Sequence, residues 1–130
     1  MKLAADQPQR VAIYGDLHCD SHDPRAIDLA CKIFADFHPS LAINLGDGVN
    51  MDGVSFYVGD PRRSLRIQYE LDAYFAVQSQ INEATAKARR IYIMGNHCQR
   101  LEKALQAKLP GLVHLKALRL NAVLRLDELG

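Results

Sequence analysis

The sequence predicts an α/β fold built on a parallel sheet, and three observations predict it. Three short apolar runs, at residues 10–14, 41–45 and 91–94, each stop at a glycine (Gly15, Gly46 and Gly95), as buried strands do. The segments between them are long and carry helical periodicity, so the strands are joined by crossovers rather than hairpins and run parallel. Asp23-Pro24 and Asp60-Pro61 supply two helix starts, with Asp as the capping residue and Pro in the first helical position, where its missing N–H costs nothing.

Each element has its own justification. Val11, Ile13 and Tyr14 favour an extended backbone, and a polar loop over residues 16–23 follows them. In the first helix Ile27, Ala30, Cys31, Phe34 and Phe37 recur at helical spacing, an apolar stripe that can lie on a sheet, and Pro39 ends it. Leu41-Ala42-Ile43-Asn44-Leu45 is the second strand. An irregular stretch over residues 47–59 precedes a long helix expected over residues 61–88, with Leu71, Tyr74, Phe75, Gln78, Ile81, Thr85 and Ala88 on one face. Lys87, Arg89 and Arg90 then fall where the negative end of the helix dipole favours cations. Ile91-Tyr92-Ile93-Met94 is the third strand, and a helix over residues 99–108 turns Leu101, Ala104 and Leu105 inward until Pro110-Gly111 breaks it. The leucine-rich tail, residues 109–130, mixes both periodicities, and a short helix capped by Asn121 is expected there.

A chain of 130 residues is one domain with room for one core. With 48% apolar and 24% charged residues it is a globular composition, not a disordered one. A formal charge of +1 excludes a DNA-coating protein and a polyacidic tail, but not a local charged site. No apolar run approaches the ~20 residues that span a bilayer, and Met1 to Asp6 shows no long apolar stretch of the signal-peptide kind. Cys19, Cys31 and Cys98 are odd in number and irregularly spaced, so reduced thiols and a cytoplasmic location are expected.

All three strands end alike, in glycine followed by residues with metal-type donors: Gly15-Asp16-Leu17-His18, Gly46-Asp47-Gly48-Val49-Asn50 and Gly95-Asn96-His97. In an open α/β sheet the C-terminal strand edge lines the ligand crevice. Parallel neighbouring strands would therefore bring Asp16, His18, Asp47, Asn96 and His97 to one spot. Carboxylate, imidazole and amide oxygen together suit Mn, Fe or Zn better than Ca. The bland alternative is a set of capping residues at βα turns, where Asp and Asn are common. A nucleotide-binding loop is a poorer reading, because Gly15 to Asp20 is not glycine-rich.

These three motifs, in this order and each after a strand, resemble the calcineurin-like metallophosphoesterases over roughly residues 11–105. The loop from Asp52 to Tyr57 with Asp60-Pro61-Arg62-Arg63, and His97 followed by Arg100-Leu101-Glu102, look most like the phage and prophage branch. The resemblance implies the βαβαβα half of an α/β/β/α sandwich and metal-dependent hydrolysis of a phosphomonoester or phosphodiester by a metal-activated water. It implies Asp16 and His18 on a first metal, Asp47 bridging two metals, Asn96 on the second, and His97 at the phosphate and leaving group. Arg100 is a candidate phosphate contact. A nucleic-acid substrate rests on the phage-type likeness alone.

The departures from the family pattern carry expectations of their own. The family's second half supplies further histidine ligands in a His-Gly-type and a Gly-His-x-His motif, and neither is present; His114 lacks the glycine. One divalent ion (Mn, Fe, Zn or Mg) held firmly at most, and impaired or absent activity in this chain alone, are therefore expected. Asn50 stands where the family has the aspartate that orients the catalytic histidine, with Asp52 two residues on as a substitute. Cys98 replaces the acidic residue after that histidine and reads as a buried filler. One sheet face should be open, or covered by the tail, a second copy or a partner chain. A catalytically silent metal- or phosphate-binding module of the same fold is the alternative function.

Overall fold

Residues 9–57 and 61–130 are described by the computed structural model of the chain. Asp60 and the segment Met1 to Asp6, singled out above, lie outside the described residues. The chain is mixed α/β: three parallel strands, β1 (Val11–Tyr14), β2 (Leu41–Asn44) and β3 (Arg89–Tyr92), form a sheet in the order β1-β2-β3. The register pairs Ala12, Ala42 and Arg90 across the sheet, then Ile13, Ile43 and Ile91, then Tyr14, Asn44 and Tyr92.

Helix α1 (Pro24–Phe37) starts as its sequence dictates. Asp23 is extended and its carboxylate accepts the N–H of Arg25, with Pro24 in the first turn. It ends at His38, which takes a left-handed conformation (φ 48°) so that its N–H reaches the carbonyl of Phe34. Pro39 follows and cannot extend the helix.

The long helix expected over residues 61–88 is two helices, α2 (Pro61–Ser64) and α3 (Ile67–Ala84). The break at Leu65-Arg66 leaves Leu65 almost wholly in solvent. It lets α3 turn its own inward face, Glu70, Tyr74, Val77, Gln78 and Ile81, onto the sheet and the strand-end loops. That face is rotated from the expected one: Val77 is buried, while Leu71 and Phe75 are only partly covered. Helix α3 stops four residues early because Thr85 leaves the helical conformation and a tight turn, Ala88 N–H to Thr85 C=O, feeds the chain into β3. Arg89 and Arg90 are thus strand residues. Arg90 still meets the helix end: its guanidinium donates to the carbonyl of Asn82 in the last turn of α3 at 2.9 Å, as expected of a cation at that pole.

Helix α4 (Arg100–Lys108) follows one 3-10 turn, His97–Gln99. The tail forms two further 3-10 turns and two single-turn helices, α5 (Leu120–Val123) and α6 (Leu126–Leu129). Asn121 lies inside α5 and caps nothing; the residue before the helix is Arg119, which makes no side-chain cap.

The core cluster joins Ile27 of α1, Tyr74, Val77 and Ile81 of α3, Leu124 of the tail, and the loop residues Cys19, Val49 and Met51. It lies on one face of the sheet, with Tyr14 against Phe34 at 5.9 Å between ring centroids. The tail packs on α3 on this covered side, its Leu129 carbonyl accepting from Asn82 at 2.7 Å. The opposite face, carrying Ile13, Leu45, Ile91 and Ile93, is open, with Ile13 59% exposed. Among the described residues no helix is long and apolar enough to cross a membrane.

Candidate functional site

Past their last paired residues the three strands continue as turns that interlock. Asp16 N–H donates to Gly46 C=O at 3.0 Å, His18 N–H to Asp47 C=O at 3.2 Å and Cys19 N–H to Gly48 C=O at 2.9 Å. The first turn therefore runs alongside the second as an extension of the sheet. Asp16, His18, Asp47 and Met51 all have φ between 42° and 55°, a left-handed conformation that costs a side-chain-bearing residue about 1–2 kcal/mol. Four such residues within one loop cluster mean that the surrounding contacts hold the turns in place.

Two glycines make the close approach possible. A Cβ on Gly46, whose φ is 88°, would strike the backbone of Gly95, and a Cβ on Gly95 would strike the carboxylate of Asp47. With no side chain there, Asp47 packs over Gly95, and its Oδ1 accepts the N–H of His97 at 2.8 Å.

The sequence-predicted residues divide as follows. Asp16 and His18 form a pair, with Oδ1 to Nε2 at 3.8 Å, and the rings of His18 and His97 meet edge to face at 5.0 Å. Asp47 is buried against the His97 backbone, so these four converge at the sheet edge. Asn96 sits on the exposed rim beside His97. Asn50 is near His97, but through its main chain: Nδ1 of His97 lies 3.1 Å from the Asn50 carbonyl oxygen, while the Asn50 side-chain amide donates to Asp20. Arg100 is held within the protein, donating from Nη1 to Asn50 C=O at 2.7 Å and to Asp52 Oδ1 at 3.0 Å. Its Nη2 lies 3.4 Å from Nε2 of His97. Asp52 thus engages the arginine rather than the histidine.

The donor set for a metal is open. Among the described residues no three His, Cys, Asp or Glu side chains are grouped closely enough to hold an ion. Asp16 and His18 supply two donors, and one Asp47 oxygen is occupied by an N–H. Among the described residues His18 Nδ1 and Nε of Arg90 are buried without a hydrogen-bond partner.

Sequence reasoning missed Glu70. It is buried, and its carboxylate accepts the backbone N–H of Asn50 at 2.5 Å and of Met51 at 3.0 Å. Burial raises its pKa above the ordinary carboxylate value; the two N–H donors work against that rise, and nearby Asp20 and Asp52 add to it. The signal was present: Glu70 precedes Tyr74 by four residues, so a carboxylate stands in the apolar stripe. Cys19 is buried beside Glu70, and its thiol is pushed up to about 12, chiefly by burial and then by the Glu70 and Asp20 charges. It is an inert core thiol.

No family model, curated protein or solved structure matches this chain.

Proposed function

We propose that the chain is the motif-bearing half of a calcineurin-like metallophosphoesterase, a βαβαβα unit of that sandwich, and that its chemistry is metal-dependent hydrolysis of phosphomonoesters or phosphodiesters. The observation that carries the reading is the meeting of Asp16, His18, Asp47 and His97 where three parallel strands end. Carboxylate and imidazole donors gathered at the C-terminal edge of a parallel sheet, where such folds bind ligands, suit that chemistry. Asp16, His18 and Asp47 are the residues we assign to a single divalent ion, with Asn96 beside Asp47 on the side of a weaker second one, His97 to the phosphate and leaving group, and Arg100 to charge complementarity with the phosphate. Nucleic acid is one phosphodiester that would suit the site, a second chain or a partner would suit the open sheet face, and the odd, unpaired cysteines suit a reducing cytoplasm.

The open donor set favours a second reading, a catalytically silent binding module of the same fold. Hydrolysis of an aryl phosphodiester with Mn²⁺, by the wild type and by Asp47→Ala, separates the two. Metal-dependent turnover that the substitution abolishes supports the enzyme. No turnover above background supports the silent module, and calorimetric titration with Mn²⁺ then reports whether an ion is held at all.

A further inference from the structure

We propose that Glu70 is the positioning residue of His97, acting through the peptide unit between Asn50 and Met51; the proposal rests on the reading of His97 as a site residue. The argument begins with peptide planarity. The carbonyl of Asn50 and the N–H of Met51 belong to one rigid unit and point in opposite directions. Glu70 accepts that N–H at 3.0 Å and the preceding N–H of Asn50 at 2.5 Å. Two acceptors on two consecutive donors fix the plane as one could not. The Asn50 carbonyl is thereby aimed at the site, where it accepts from His97 Nδ1 at 3.1 Å and from Arg100 Nη1 at 2.7 Å.

The turn would not hold this orientation unaided. Met51 has φ 55°, so rotating the 50–51 peptide would relieve a strained backbone. The side chain of Met51 is fully buried and ties the loop down on its other side. Between that anchor and the buried carboxylate the carbonyl has one direction available.

The consequence for His97 follows from the chemistry of the partner. A carbonyl only accepts, so the Nδ1 facing it carries the proton and Nε2 presents a lone pair. The Arg100 Nη2 at 3.4 Å lies on that lone-pair side. Glu70 therefore selects which ring nitrogen faces the pocket without touching the ring.

The test reads the ring itself and requires neither metal nor turnover. Long-range ¹H–¹⁵N correlation spectra of the full chain, recorded at a pH where the imidazoles are neutral, distinguish the two tautomers. In the wild type His97 is expected to show the Nδ1–H pattern. Glu70→Gln keeps one acceptor oxygen and sets an NH₂ against the other backbone N–H, so His97 should move to a mixture of tautomers while the amide signals of β1 and β2 stay in place. Glu70→Asp keeps both oxygens and the charge, and should return His97 part of the way. An unchanged His97 tautomer in a folded Glu70→Gln overturns the proposal. So does unfolding of both variants, which would make Glu70 a determinant of folding instead. A chain that hydrolyses nothing leaves this readout intact, so failure of the enzyme reading and failure of the positioning role are told apart.

Discussion

At the scale of single residues, space and buried charge around the 46–51 turn decide what the site tolerates. Gly95→Ala would drive a Cβ into the Asp47 carboxylate and into backbone. Neither is the flexible end of a long side chain, so the turns must separate. Overpacking of this kind costs about 1–3 kcal/mol, and it parts Asp47 from the His97 N–H. A lowered midpoint of urea unfolding, with a shifted His97 amide resonance, is the expected result; an unchanged His97 amide would mean that the two turns are not in contact. Glu70 makes stability depend on pH. Its folded pKa lies above the unfolded value, chiefly through burial. The group's favourable contribution is therefore complete below the ordinary carboxylate range, and it is lost as pH rises through the unfolded value and then the folded one. Measured by urea unfolding from about pH 4 to neutrality, the wild type should lose stability relative to Glu70→Gln as pH rises. A constant difference would show that Glu70 titrates as an ordinary carboxylate.

At the scale of elements, a buried polar ladder locks α3 to the sheet. Asn44 at the end of β2 donates to Gln78 Oε1 at 2.9 Å; Gln78 donates to Tyr14 OH at 2.7 Å and to Asn82 Oδ1 at 2.8 Å. Asn44 also accepts the N–H of Gly46 at 2.8 Å, so the ladder reaches the turn that presents Asp47. Gln78→Leu keeps the volume but strands two buried polar groups, the Asn44 amide and the Asn82 carbonyl oxygen. Each unsatisfied group costs about 1–3 kcal/mol, so the loss should exceed that of Gln80→Leu, whose native side chain is exposed; equal losses would show that the ladder contributes nothing. This ladder also marks the limit of what the sequence made legible. The first two strands, α1 with its Asp-Pro start, and the shared sheet edge follow from local signals, because glycine stops and the N-cap act within a few residues; the third strand, expected over residues 91–94, is Arg89–Tyr92 and ends short of Gly95. The break at Leu65-Arg66 and the rotated face of α3 do not. They are set by where Glu70 and Gln78 find buried partners about twenty to sixty residues away in the chain, which periodicity does not encode. For the same reason Asn50 was legible as a neighbour of His97, whereas its use of a main-chain carbonyl, steered by Glu70, was not. The tail defeated the local rules differently: Leu124 is buried and Asn121 is exposed, so long-range packing rather than capping places α5.

At the scale of the whole molecule, the helices and the tail lie on one side of a three-stranded sheet, and none of the described elements covers the other side. Ile13, Ile43 and Ile91 stand in register across all three strands, flanked by the exposed Leu45 and Ile93. An apolar row of this kind, on a sheet whose edge strands pair with no further strand among the described residues, favours association. The expected behaviour is binding of an apolar fluorescent dye and an apparent mass in sedimentation that rises with protein concentration. Ile13→Lys tests it without disturbing the core. Ile13 is 59% exposed on the edge strand β1, so the change in unfolding free energy should stay within about 0.5 kcal/mol, as for other surface positions. The lysine places a charge in the apolar row and on an edge strand, a device that natural sheets use against edge pairing. Dye binding and the concentration dependence should both fall. If both persist unchanged in a folded Ile13→Lys chain, association runs through another surface, such as the exposed Leu29 and Ile33 of α1, and the bare sheet face is not what drives it.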